Sequence, residues 1–177
     1  MHFNNYLKQL DDRFSFIKKF AKPRNNLCGV ELEDITDLPY SVLKSTVPDL
    51  FDSHKFEEAF YLILKNYKKN ITFKRVKRAR NNDKFLFMLW VKEQYKRIND
   101  LEERMLVSPP DVKLLQAGIR ELDVLGDYNT IDSLAGGDIL KWEAIRQMKY
   151  SEVFNKLLKN TIESRINKRM VEINKQK

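Results

Sequence analysis

Sixteen residues, Lys65 to Arg80, hold Lys65, Lys68, Lys69, Lys74, Arg75, Lys77, Arg78 and Arg80 and no acidic side chain. Like charges at this density repel one another unless water, salt or an anionic partner screens them. The run therefore belongs on a surface, and a nucleic acid or an acidic protein face would complement it. Tyr67 and Phe73 lie among the cations, and aromatic stacking combined with phosphate contacts is how single-stranded nucleic acid is held. A solvated helix face or a docking surface for an acidic neighbour explains the same residues equally well.

Other chemistry finds fewer residues. His2, His54 and Cys28 are far apart in sequence and lack the spacing of a zinc site. Each histidine reads as a surface or capping residue, and Cys28 as an inert thiol with no histidine nearby in the chain to activate it. Gly136-Gly137 has no preceding strand and no following Lys-Ser or Lys-Thr, so it reads as a turn between helices rather than a phosphate loop. Glu57-Glu58 and Glu102-Glu103 fit charged helix faces better than a catalytic carboxylate pair. These residues predict a non-enzymatic protein with no cofactor, no metal and no small-molecule substrate.

The elements that must carry the basic run are mostly helical. Tyr6, Leu10, Phe14, Ile17 and Phe20 form one stripe ending before Pro23, and Pro23 to Asp37 reads as a loop. Pro39 suits the start of a short helix to Thr46, which Val47-Pro48-Asp49 should break. Asp52 or Ser53 should cap a helix with the stripe Phe56, Phe60, Ile63, Leu64 and Tyr67. Within the basic run, Ile71, Phe73 and Val76 alternate with polar residues, which suits a short strand or loop as well as a helix. A long helix follows from Lys84 to about Leu106, capped by Asn81-Asn82-Asp83, with Phe87, Val91, Ile98, Leu101 and Met105 on one face.

Val107-Ser108-Pro109-Pro110-Asp111 marks the expected division into an aromatic-rich lobe, 1–107, and a carboxyl-terminal lobe, 108–177, within what is otherwise one multi-helix bundle. In the second lobe Asp138 and Ser151 are the expected caps of the last two helices, the final one carrying Val153, Phe154, Leu157, Leu158, Ile162, Ile166 and Met170. The fold class is mainly α.

With 33 Lys and Arg against 25 Asp and Glu, the chain has a formal charge of +8, which favours anionic partners. Its 42% hydrophobic content is enough for a core without disulfides, and the lone cysteine allows none internally. The longest dense apolar run, Phe85 to Val91, is too short to span a bilayer. A non-secreted chain without a membrane role is expected.

Gly136-Gly137-Asp138-Ile139-Leu140-Lys141-Trp142-Glu143, followed by Met148-Lys149-Tyr150-Ser151-Glu152-Val153-Phe154, resembles small helical proteins of the structural gene blocks of tailed bacteriophages, crAss-like phages among them. The resemblance covers about the last third of the chain. It implies a virion subunit or assembly factor near the head-to-tail junction or tail, assembled in the host cytoplasm and packed against other virion proteins and copies of itself. Phe87, Val91, Ile98, Leu101, Met105, Trp142, Phe154 and Leu158 are the expected packing or interface residues. Two alternatives stand beside this expectation: a nucleic-acid-binding protein using Lys65–Arg80, and a transient tail-assembly chaperone.

Overall fold

A computed structural model describes residues 21–107 and 112–175. The stripe from Tyr6 to Phe20, His2 and the Ser108–Asp111 break lie outside the described residues. Those described are mainly α-helical, with one two-stranded sheet. They form two compact units, one ending at Arg97 and the other beginning at Ile98. The division thus falls inside the long helix, before the proline pair.

The first unit opens with an antiparallel hairpin where the sequence suggested only loop. Strands β1 (Asn26–Leu27) and β2 (Val30–Glu31) pair Asn26 with Glu31 and Leu27 with Val30. Its two turn residues, Cys28 and Gly29, both have positive φ (57° and 71°), the requirement of a primed hairpin turn. Leu27, Val30, Leu32, Ile35 and Leu38 of this aperiodic stretch are all buried.

A π-helical turn (Val42–Thr46) runs directly into α1 (Val47–Asp52). Val47-Pro48-Asp49 therefore does not break the helix as expected. Pro48 falls in the first turn of α1, where a missing N–H costs little. The Val47 N–H bonds instead to the Val42 carbonyl across the widened turn.

α1 ends in a Schellman arrangement: Lys55 N–H donates to Leu50 O (2.8 Å) and His54 N–H to Phe51 O (3.0 Å). His54 takes the left-handed position that glycine usually fills, at φ 60°. Neither Asp52 nor Ser53 caps the next helix, because the chain needs those residues to complete this motif. Lys55 stands at that N-cap, without a side-chain bond.

α2 (Phe56–Tyr67) buries Ala59, Phe60, Ile63 and Leu64. The Phe60 ring packs edge-on to Phe51 (6.0 Å) and Phe87 (5.4 Å), and Phe87 stacks on Trp90 (5.5 Å). Fully burying such a side chain contributes about 1.5–3 kcal/mol, so this aromatic row is a major contributor to the unit's core. The basic run begins in the last residues of α2, turns through residues 68–72, and forms a short helix, α3 (Phe73–Lys77), before a further turn at residues 78–80; no strand forms in it. Extended Thr72 caps α3, its Oγ1 accepting from the Arg75 N–H at 3.3 Å. Alternation fails because only Ile71 and Val76 are buried, while Phe73 stays exposed.

α4 (Asn81–Met105) starts at the residues expected to cap it. Phe87, Val91, Tyr95 and Ile98 are buried, Leu101 is half-buried and Met105 exposed. In the first unit, the buried Tyr95 hydroxyl donates to Leu43 O at 2.7 Å.

In the second unit, the last turn of α4 is followed by α5 (Val112–Gln116), a 3-10 segment (Ile119–Leu125), α6 (Asp127–Ala135), a 3-10 turn (Ile139–Lys141), α7 (Trp142–Gln147) and α8 (Tyr150–Lys175). Gly136 and Gly137 end α6, and the Asp138 carboxylate accepts from Leu140 N–H at 3.1 Å. Ser151 sits inside α8 rather than capping it. Trp142 Nε1 donates to Asp132 (3.2 Å), the Tyr150 hydroxyl to Glu102 (2.8 Å), and Arg165 to the carbonyls of Met105 (3.2 Å) and Val107 (3.1 Å). A guanidinium at those carbonyls satisfies acceptors that the helix end leaves open. Phe154 and Leu158 are half-buried, Phe154 against Tyr150 with ring centres 6.0 Å apart.

Candidate anion-binding cleft

Lys74, Arg75, Arg78 and Arg80 line one open cleft of about 850 Å³, walled on its other side by the hairpin residues Asn26 to Gly29 and by Arg24. Lys65, Lys68, Lys69 and Lys77 do not line it. Lys65 lies over the Tyr61 ring at 5.5 Å, and Lys77 offers its carbonyl to Lys84 Nζ at 3.1 Å. The structure thus selects half of the basic run and adds one arginine from more than forty residues upstream.

Local folding explains the selection. The Thr72 cap turns the chain into α3 and sets Lys74, Arg75 and Arg78 towards the hairpin, while buried Val76 faces the core. Arg75 reaches the hairpin turn: a Cβ placed on Gly29 would stand 3.6 Å from its Nη2. On the same turn, Cys28 Sγ donates to the Arg75 carbonyl at 3.6 Å. Burial pushes the Cys28 thiol above its ordinary value despite the opposing charge of Arg75. It is held in the thiol form, which is the poorer nucleophile.

Five cationic side chains face a single carboxylate, Asp83. Asp83 pairs with Arg80 Nε at 2.8 Å and with Arg24 Nη1 at 3.4 Å. The Arg24 backbone N–H also bonds Leu86 O at 3.1 Å, fixing that arginine beside the second turn of α4. The bond to Asp83 raises the Arg80 pKa further, so it stays charged at any working pH. Among the described residues no ion pair involves Lys74, Arg75 or Arg78. The cleft therefore has two rim arginines that share one carboxylate, and three cations with no ion-pair partner among the described residues. Sequence reasoning missed Arg24, Cys28 and Asp83; only the Asn-Asn-Asp cluster beside the basic run hinted at one of them.

A second cleft, of about 490 Å³, lies along the same stretch of chain. Phe56, Phe60, Phe73, Phe85 and Met88 line it, with His54, Lys55, Glu57, Glu58, Asn81 and Lys84 as its polar groups. Lys84 Nζ binds Glu57 Oε1 at 2.6 Å. Among the described residues, no three His, Cys, Asp or Glu side chains group closely enough to hold a metal ion. No described helix is long and apolar enough to cross a membrane. Compared with known proteins, the chain matches no protein-family model, no curated protein and no solved structure.

Proposed function

We propose that this chain is a non-enzymatic protein that holds the phosphate backbone of a nucleic acid in the cleft between its hairpin and α3. The observation that supports this reading is the convergence of Lys74, Arg75 and Arg78 without a carboxylate partner among the described residues. Uncompensated cations in a concave site concentrate field lines and favour an extended polyanion. Titrating the protein against labelled DNA and RNA oligomers tests it. Expected is micromolar binding that weakens steeply with salt and is strongly reduced, with a shallower salt dependence, when Lys74, Arg75 and Arg78 are all replaced by glutamine. Binding by that variant equal to wild type overturns the reading.

A second reading, a virion or tail-assembly subunit of a tailed phage as the carboxyl-terminal resemblance implies, has its own support in the second unit. Val124 and Leu140 there are 86% and 88% exposed, and Ile162, Ile166, Met170 and Ile173 of α8 are exposed as well. Exposed apolar side chains that lie together on one helix, as Ile162, Ile166, Met170 and Ile173 do at steps of three and four residues, suit a surface where proteins associate. Light scattering over a concentration series tests for self-association, and a persistent monomer argues against a self-assembling subunit. Stoichiometric presence in purified particles would distinguish a virion component from a transient assembly chaperone.

A further inference from the structure

The two clefts share a wall. Along that wall the lining residues alternate: Thr72 and Lys74 face the basic cleft and Phe73, between them, the aromatic one; Arg80 and Asp83 face the first, Asn81 and Lys84 the second. Their chemistry is segregated. The first offers an excess of cations to a phosphate, whereas in the second Glu57 and Glu58 offset Lys55 and Lys84, Glu57 by a direct pair with Lys84, so no net positive charge draws phosphate to its aromatic floor. A flat, uncharged group with hydrogen-bonding edges is what such a site accepts, and its volume suits one. Phe73, 38% exposed, packs edge-on against Tyr61 at 5.7 Å, which leaves ring surface open to the cleft.

Resting on the phosphate-binding reading above, we propose that the ligand is a single strand: its backbone lies in the basic cleft and an unpaired base of the same strand crosses α3 to stack on Phe73 in the second. The Glu57–Lys84 pair and Asn81 then present hydrogen-bonding groups to the base edge. A duplex is disfavoured, because its bases are already stacked and extracting one costs free energy.

The test compares thymidine oligomers of about twelve nucleotides, within the span of known single-strand sites, with abasic oligomers of the same length and phosphate count. Expected is a preference of roughly 5- to 150-fold for the base-bearing oligomer, the range that one base–aromatic stack supplies. The preference should fall to within about threefold in both Phe73→Ala and Phe73→Leu, with the salt dependence unchanged. The leucine variant keeps apolar bulk, and circular dichroism of both confirms the fold. Equal wild-type affinity for the two oligomers overturns the base site. If that binding still depends on Lys74, Arg75 and Arg78, the phosphate reading survives. A preference that persists in both Phe73 variants removes the stacking site, and failure to bind any oligomer removes both proposals together.

Discussion

Replacing Lys74, Arg75 and Arg78 with glutamine, singly and together, separates a shaped phosphate site from a general basic surface. For single strands the slope of log affinity against log salt is about −0.7 for each phosphate neutralised. Three uncompensated cations give about −2, and the two rim arginines bring the slope to at most about −3.5 when a phosphate displaces Asp83 from both. Between 50 and 200 mM salt, a slope of −2 corresponds to roughly a 16-fold loss of affinity. Each single variant should reduce the slope by about 0.7, and the triple variant by about 2. Lys68→Gln with Lys69→Gln is the control, because both residues are exposed cations of the same run that do not line the cleft. Because neither lysine lines the cleft, that pair should move the slope by less than one cleft substitution does. Fluorescence anisotropy at several salt concentrations reads all of these. An equal effect from the control pair, or an unchanged slope in the triple variant, would show that the cleft geometry is irrelevant to binding.

Three other outcomes concern the fold that supports the cleft. Phe60→Ala should cost about 3–5 kcal/mol in urea unfolding, because Phe60 is buried against Phe51 and Phe87; a loss below about 1 kcal/mol would contradict a packed aromatic row. His54→Val should cost about 1–2 kcal/mol although His54 is exposed, because its left-handed backbone penalises a β-branched residue. His54→Gly should stay within about 0.5 kcal/mol of wild type, and equal effects from the two would refute the assigned conformation. Stability should also decline above the ordinary tyrosine pKa of about 10. Burial raises the pKa of both Tyr95 and Tyr67, with Asp34 and Asp37 adding to the effect at Tyr67. The folded state thus retains protons that the unfolded chain releases, so this contribution is full below pH 10 and lost above it. Tyr95→Phe should flatten the alkaline decline while lowering stability at neutral pH by about 1 kcal/mol through loss of the bond to Leu43 O. A urea-unfolding midpoint that does not change between pH 9 and pH 11 would count against it.

The long elements were legible because their periodicity is strong. Phe56, Phe60, Ile63 and Leu64 recur at helical spacing, and the helix forms where they do. The hairpin was not legible, since two strands of two residues each carry no period, and its Cys-Gly turn departs from the usual Asn-Gly or Asp-Gly. Core residues Leu32, Ile35 and Leu38 were hidden for the same reason: burial in an irregular segment follows tertiary contact and leaves no repeat. In the candidate site, charge alone marked Lys74, Arg75, Arg78 and Arg80 but could not divide them from Lys65, Lys68 and Lys69. That division depends on the Thr72 cap and on a hairpin some forty residues earlier, both resolved only in three dimensions. The Val47-Pro48-Asp49 prediction failed because proline at the start of an α-helical segment is compatible with a preceding π turn.

Asp83 does more than reduce the charge of the cleft. By bridging Arg24 and Arg80 it would stand, on the phosphate-binding reading proposed above, where a phosphate oxygen meets the two guanidiniums. The bridge biases these two exposed guanidiniums towards one orientation, so part of their ordering cost falls on folding instead of on association. An anion that displaces this carboxylate exchanges one set of charge-assisted bonds for another. The rim then favours a chain that bridges several cations at once over a solitary ion that merely replaces the carboxylate.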